Sequence, residues 1–361
     1  MVDPLAPLGD GFDEDAPEDL EALRPYVVNL TRGRLSTDGI MQTSRQDVDA
    51  IFDVHLPRFL AEHPGPVPVV FWAHGGIVSE GAGLRIAGHQ VPWWLDNGVY
   101  PIHFVWETGF TDTLRSIATL LRSLQSAGGR SAPWRSVKHN ARVASEPGGG
   151  AHHVAQRLAR FCAEHPGRIT VHAAGHSAGA IFHSHFVPAA GAQGVPGFHT
   201  LQLLAPALRI DDFEATLLPM VGSGIDRFVL YTMNAAAELA DSCFRIYRRS
   251  LLYLVSELFE DPADSPLLGM ERSIRASRRL LAAFGLDPVQ HCAAEVIWSP
   301  TGPDADDGYR SAALNHGAFD NDVDTMNSVA GRVLGRAVDV AFPSGRVSAS
   351  RLLSPAPRWV P

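Results

Sequence analysis

The chain has 361 residues, 45% hydrophobic and 19% charged, with 39 acidic against 30 basic side chains and a net charge of −9. Such a balance suits a globular protein with a large core, and an acidic chain without a basic stripe excludes phosphate-backbone binding, so no nucleic-acid partner is expected. No positively charged start leads into an apolar signal core, and no apolar run approaches the roughly 18 residues of a membrane span, which gives the expectation of a cytoplasmic protein with no membrane span. The cysteines, Cys162, Cys243 and Cys292, are odd in number and widely spaced, and read as small buried hydrophobes.

Residues 1–22 gather Asp10, Asp13, Glu14, Asp15, Glu18 and Asp19 among prolines and glycines, the pattern of a solvated acidic tail. A first strand is expected at 26–30. An amphipathic helix comes next at 44–62, with Val48, Ile51, Phe52, Leu56 and Phe59 on one face and His55 as a partly buried member of it. The apolar run 67–73 reads as a strand that ends in His74-Gly75-Gly76, 84–97 as a helix and 99–106 as the next strand. Strands alternating with helices predict an α/β fold: a mostly parallel central sheet with helices on both faces.

Residues 107–150 break that rhythm. The segment 113–124 suits a helix, but Gly128-Gly129, Pro133-Trp134 and Pro147-Gly148-Gly149-Gly150 punctuate the stretch beyond it. Two readings fit an insertion of this kind: a cover over an active site, with Trp134, Leu120, Leu121 and Leu124 lining an apolar pocket, or a surface excursion with an ordinary packed tryptophan. A helix at 151–165 leads into an apolar strand at 169–174. Further strands are expected at 200–204 and 228–232, joined through the helix start Asp211-Asp212-Phe213. Apolar helices from 250 and over 272–284 make a second insertion, a last strand falls at 294–298, and a final helix at 323–340 precedes a Pro-, Ser- and Arg-rich tail at 343–361. No internal repeat is present.

The strand at 169–174 runs into Gly175-His176-Ser177-Ala178-Gly179, and Ala178 begins a plausible helix. A serine at a sharp strand-to-helix turn is exposed and strained, glycines two residues to either side let strand and helix approach, and the first helix amides point at the space above the hydroxyl. The alternative is a glycine-rich turn with an inert serine. The His-Gly-Gly that closes the strand at 67–73 is the usual opening of a loop that supplies a second oxyanion-hole amide. Downstream, Asn315-His316-Gly317-Ala318-Phe319-Asp320 comes after the last strand, where a base histidine belongs.

These three motifs, in the order His-Gly-Gly, serine elbow, late histidine, resemble the α/β-hydrolase superfamily on its esterase and lipase side, and the poorly characterised bacterial serine hydrolases in particular. The resemblance covers about residues 26–342. It implies a catalytic domain over 23–342, with insertions at 108–150 and 242–286 as lid candidates, and a catalytic triad with Ser177 as nucleophile and His316 as general base. The backbone N–H groups of Gly76 and Ala178 would form the oxyanion hole. The implied activity is hydrolysis of a small-molecule carboxylic ester through an acyl-enzyme. Peptidase or amidase chemistry on the same scaffold, and a catalytically inactive fold member that binds a ligand, are the alternatives.

The triad acid is the departure from the pattern. Related sequences carry an Asp early in the loop after the strand at 228–232, where this chain has Asn234 and Ala235. Asp241 is then the first candidate and Glu238 the second, with Asp211 or Asp212 as an alternative placement. The histidines around the elbow, His172, His176, His183 and His185, have no cysteine or paired carboxylate at ligand spacing, so neither a metal nor a cofactor is expected. His176 reads as a local packing or hydrogen-bonding residue. Oligomeric state has no signal in the sequence.

Overall fold

The computed structural model describes residues 19–76, 78–106, 132–243, 247–287 and 293–344. Among these, eight strands build one sheet: β1 (Val27–Thr31), β2 (Arg34–Leu35), β3 (Val67–Ala73), β4 (Tyr100–Trp106), β5 (Ile169–His176), β6 (Phe198–Leu204), β7 (Ile225–Met233) and β8 (Ala294–Ser299). Their order is β2-β1-β4-β3-β5-β6-β7-β8, and all neighbours run parallel except β1 and β2. The α/β architecture expected from the alternating pattern is therefore the observed one.

The central strands are apolar at successive positions because both faces are buried. Val69, Phe71 and Ala73 of β3 face the core shared with the helices Gly150–Glu164 and Gly179–Ala192. Val70 and Trp72 face the other way, into a core with Trp93 and Trp94 of the helix Glu80–Asp96 and Met326 and Val329 of the helix Val323–Leu334. β3 has β4 on one side and β5 on the other. The chain thus reverses its direction of travel across the sheet at β3, and the crevice outside the carboxyl ends of β3 and β5 is the topological switch point where open α/β sheets bind ligands.

Several boundaries move for local reasons. The helix expected at 84–97 starts earlier, at Glu80, because the Ser79 hydroxyl accepts from the Ala82 amide at 3.2 Å and caps it. The helix expected over 272–284 is two, Glu271–Ala276 and Arg278–Ala283, divided at Ser277, whose extended backbone and hydroxyl cap the second. The last helix ends at Leu334 rather than 340, because Gly335 adopts a left-handed φ of 66° as its C-cap. Two helices were not expected. Ala132–Ser145 runs straight through Pro133-Trp134, since a proline in the first turn forfeits no intrahelical hydrogen bond. Ala235–Ala240 begins on Asn234, whose side chain accepts from the Ala237 amide at 2.9 Å.

The regions expected as two insertions meet. Trp134 is buried, and its indole N–H donates to the carboxylate of Glu260, which also takes Lys138 at 2.8 Å and Arg209 at 3.5 Å. A carboxylate with no exposed side-chain surface would be strongly destabilising alone, and these cations and the indole offset its desolvation. The expected helix at 113–124, with Leu120, Leu121 and Leu124, lies outside the described residues, as do Cys292 and most of the two tails. Glu21–Tyr26 already belongs to the fold as a 3-10 turn with Leu23 buried.

Candidate functional site

β5 delivers Ser177 into the switch-point crevice. Its φ is 54°, a left-handed conformation that costs a non-glycine residue about 1–2 kcal/mol and persists only where the surroundings enforce it. Here the Ser177 amide donates to the Leu204 carbonyl at 2.8 Å, and the Ser177 carbonyl accepts from Ala207 at 3.0 Å, pinning the turn to the end of β6. The flanking glycines are there for space. A Cβ on Gly175 would stand 2.9 Å from the Gly179 backbone, and one on Gly179 would stand 2.1 Å from the Ala73 carbonyl oxygen. Only hydrogen at both positions lets the helix Gly179–Ala192 start against β3 and β5.

His316 opens a short 3-10 turn, His316–Ala318, after the loop that leaves β8. Its Nε2 lies 2.9 Å from Ser177 Oγ, and both side chains are buried. Burial, then the neighbouring His176 ring, holds the His316 pKa well below its ordinary 6.5, so the ring is neutral and able to accept the serine proton near neutral pH.

The carboxylates expected behind this histidine sit elsewhere. Asp241 is close, but its Oδ2 accepts from the main-chain amide of His316 at 3.1 Å and its Oδ1 from the Ser242 amide at 2.7 Å. Nδ1 of His316, where a triad acid bonds, has no hydrogen-bond partner among the described residues. Glu238 is fully buried beneath the start of the helix Glu271–Ala276, accepting from the Glu271 amide at 3.4 Å. Its burial pushes the carboxyl up to about 8, so it is protonated at neutral pH and unsuited to stabilising an imidazolium. Asp211 is paired with Arg209, and Asp212 lies beside that pair.

On the opposite wall, the loop after β3 is locked by His74. Its Nε2 accepts from the Trp106 amide at 3.1 Å, so the proton sits on Nδ1, which donates to the Gly75 carbonyl at 2.8 Å. Burial lowers this imidazole to about 4, and Trp106 Nε1 donates to the His74 carbonyl at 3.2 Å. His74 is thus a neutral fastener between the loop and the end of β4. The loop glycines face the elbow: a Cβ on Gly75 would lie 3.3 Å from Ser177 Cβ, and one on Gly76 would lie 2.9 Å from Ala178 Cβ. Gly76 and Ala178, the expected oxyanion-hole residues, are brought together across the crevice.

His176, read from the sequence as a packing or hydrogen-bonding residue, gains its partners, and Asp320, which sequence reasoning did not single out, gains a place beside it. Nε2 of His176 donates to the His316 carbonyl at 2.9 Å, and its Nδ1 lies 3.6 Å from Asp320 Oδ2. Asp320 stands four positions after His316, inside the same late motif, which was the signal available. The other elbow histidines have local partners: His172 bonds Thr200 at 2.9 Å and Thr170 at 3.0 Å, and His183 donates to the Ala174 carbonyl at 2.8 Å.

Among the described residues no three His, Cys, Asp or Glu side chains converge as metal ligands would, and no helix is long and apolar enough to cross a membrane. No family model matches the chain, and no curated protein matches it in sequence.

Proposed function

We propose that this protein is a serine hydrolase of the α/β-hydrolase type that cleaves a carboxylic ester through an acyl-enzyme on Ser177. The observation that carries the reading is the 2.9 Å contact between Ser177 Oγ and His316 Nε2, with the serine on a left-handed turn at the switch point of a parallel sheet. A serine hydroxyl needs a base in reach, and a neutral buried imidazole is one. In the first half-reaction, Nε2 of His316 takes the hydroxyl proton as Oγ attacks the ester carbonyl. The carbonyl oxygen becomes an oxyanion beside the Gly76 and Ala178 backbone, and collapse of the tetrahedral adduct expels the alcohol, which receives the proton from His316. Water, deprotonated by the same histidine, then hydrolyses the acyl-serine and returns the free hydroxyl. An oxyanion-hole N–H typically contributes about 3 kcal/mol to the first of these barriers.

Asp241 is the carboxylate assigned to the base. It holds the main chain of His316, and its side chain is anchored beside the residue whose Nδ1 lacks a partner among the described residues. That unpartnered Nδ1 is also what would support the second reading, a catalytically inactive binding protein on the same fold.

One experiment separates them. A fluorophosphonate is added to the purified protein and to Ser177→Ala, with intact mass as the readout. A single adduct on the native protein and none on the variant is expected, whereas an unlabelled native protein would defeat the hydrolase reading. Esters of graded acyl length set against peptide amides then distinguish esterase from amidase.

A further inference from the structure

We infer that His176 and Asp320 form a buried imidazolium–carboxylate pair that positions the base His316. The geometry leaves little choice of protonation. Nε2 of His176 faces the His316 carbonyl at 2.9 Å, and since a carbonyl oxygen only accepts, that nitrogen carries a proton. Nδ1 faces Asp320 Oδ2 at 3.6 Å, and a bare lone pair aimed at a carboxylate would be repulsive there, so this nitrogen carries one too. With acceptors on both sides the ring is a cation. His176 and Asp320 are each 6% exposed, so neither charge is tolerable without the other. The raised pKa of His176, which burial opposes and Asp320 and the His316 carbonyl produce, agrees with this.

The pair joins the two halves of the active site. His176 immediately precedes the nucleophile, while its partners, the His316 carbonyl and the Asp320 carboxylate, bracket the turn that carries the base. That turn is held further by Gln90, which donates to the Asp320 carbonyl at 3.4 Å, and Asn321 donates to Asp320 Oδ1 at 3.2 Å. The titratable groups around the pair are His316, whose ring centroid is 5.2 Å from that of His176, the neutral His74 from the β3 loop, and His89 from the helix Glu80–Asp96, both under the field of Asp320. Asp241 lies on the far side, on the His316 amide. Among these, only His176 brings positive charge next to the base. It therefore disfavours a second proton on His316 and keeps that ring competent below the usual histidine range.

The kinetic arm of the test rests on the hydrolase reading, and the spectroscopic arm does not. The histidine ring resonance assigned to His176 by its loss in His176→Gln is tracked by NMR from pH 5 to 9. A titration midpoint above 6.5 is expected in the native protein, falling by at least about one pH unit in Asp320→Asn. A neutral ring throughout pH 6–8, or a midpoint indifferent to Asp320, would overturn the pair.

The rate of fluorophosphonate labelling is then measured against pH. Both His176→Gln and Asp320→Asn should move the acid limb upward by on the order of one pH unit, because the cation beside His316 is gone. Asp320→Glu should restore the native limb. A lower plateau with an unmoved limb would mean packing alone and overturn the proposal. A native protein that labels at no pH removes the hydrolase reading while the NMR titration still decides the pair; if the variants do not fold, the His176 ring of the native protein is assigned by sequential backbone-to-side-chain correlation instead, and its midpoint alone is the readout.

Discussion

Folding buries a set of imidazoles whose desolvation favours the neutral form, so stability is expected to fall as pH is lowered. His74 and His183 are held to about 4 and His103 and His172 to about 3, in each case chiefly by desolvation. In the unfolded chain all four return to about 6.5. A lowered folded pKa means that the unfolded state binds more protons as pH falls, so the stabilisation is present above pH 6.5 and is lost below it. Each such histidine removes about 1.4 kcal/mol per pH unit, and the four together roughly 5 kcal/mol per unit between about pH 6 and 4. From pH 7 to 5 these four lose about 7 kcal/mol, comparable to the whole stability of a typical domain. His316 adds to this slope, while His176 and the buried Glu238 carboxyl, both with raised pKa values, oppose it, Glu238 returning roughly 2 kcal/mol over the same interval. Urea melts at pH 7.5, 6.5, 5.5 and 5.0, with a constant m-value, should show the midpoint collapsing across this range. His103→Phe is the sharper probe: Nε2 of His103 has no hydrogen-bond partner among the described residues, and the change should lower the slope by about 1.4 kcal/mol per pH unit. Stability that is flat between pH 7 and 5, or a slope unchanged by His103→Phe, would refute the reasoning.

Ser177→Ala and His316→Ala should each lower ester turnover by on the order of 10⁴–10⁶, and the double variant by little more, because nucleophile and base act as a unit; additive losses in steady-state kinetics would disprove that coupling. Asp241→Asn should reduce kcat by no more than about 10-fold with KM little changed, because the amide oxygen can still accept from the His316 main-chain N–H; a loss of a thousandfold would mean that Asp241 bonds the ring in the working enzyme. Glu238→Gln should leave kcat alone, since that carboxyl is already protonated at pH 7, and a severe Glu238→Gln phenotype would reassign the acid. Gly179→Ala sets a Cβ 2.1 Å from the Ala73 carbonyl oxygen, which cannot move aside without bending β3, so a loss of about 1–3 kcal/mol or more in chemical denaturation is expected.

The parts of the site set by local backbone geometry were legible in the sequence. A run such as Val67–Ala73 is apolar at every position because a central parallel strand is covered on both faces, and the glycines around Ser177 answer to clashes with atoms only a few residues or one strand away. The helix ends were less legible, since Ser79, Ser277 and Gly335 decide them through single side-chain or φ preferences inside otherwise continuous patterns. The pairing of His176 with Asp320 spans residues far apart in sequence; Asp320 falls inside the late motif 315–320, but nothing in that motif points to His176 as its partner.

The acid shows most clearly why the remainder could not be read. Asn234 stands where an Asp was expected, and its side chain is committed to capping the helix Ala235–Ala240. A capping asparagine there makes a helix of the loop and carries the next free carboxylate to the helix's end. That residue is Asp241, which reaches the His316 amide, while Glu238, one turn earlier on the same helix, is rotated into the core and loses its charge. Sequence distance from the strand cannot discriminate Glu238 from Asp241, because both lie within a few residues of the expected position. The helical turn between them does, by sending one carboxyl inward under the helix Glu271–Ala276 and leaving the other beside the base.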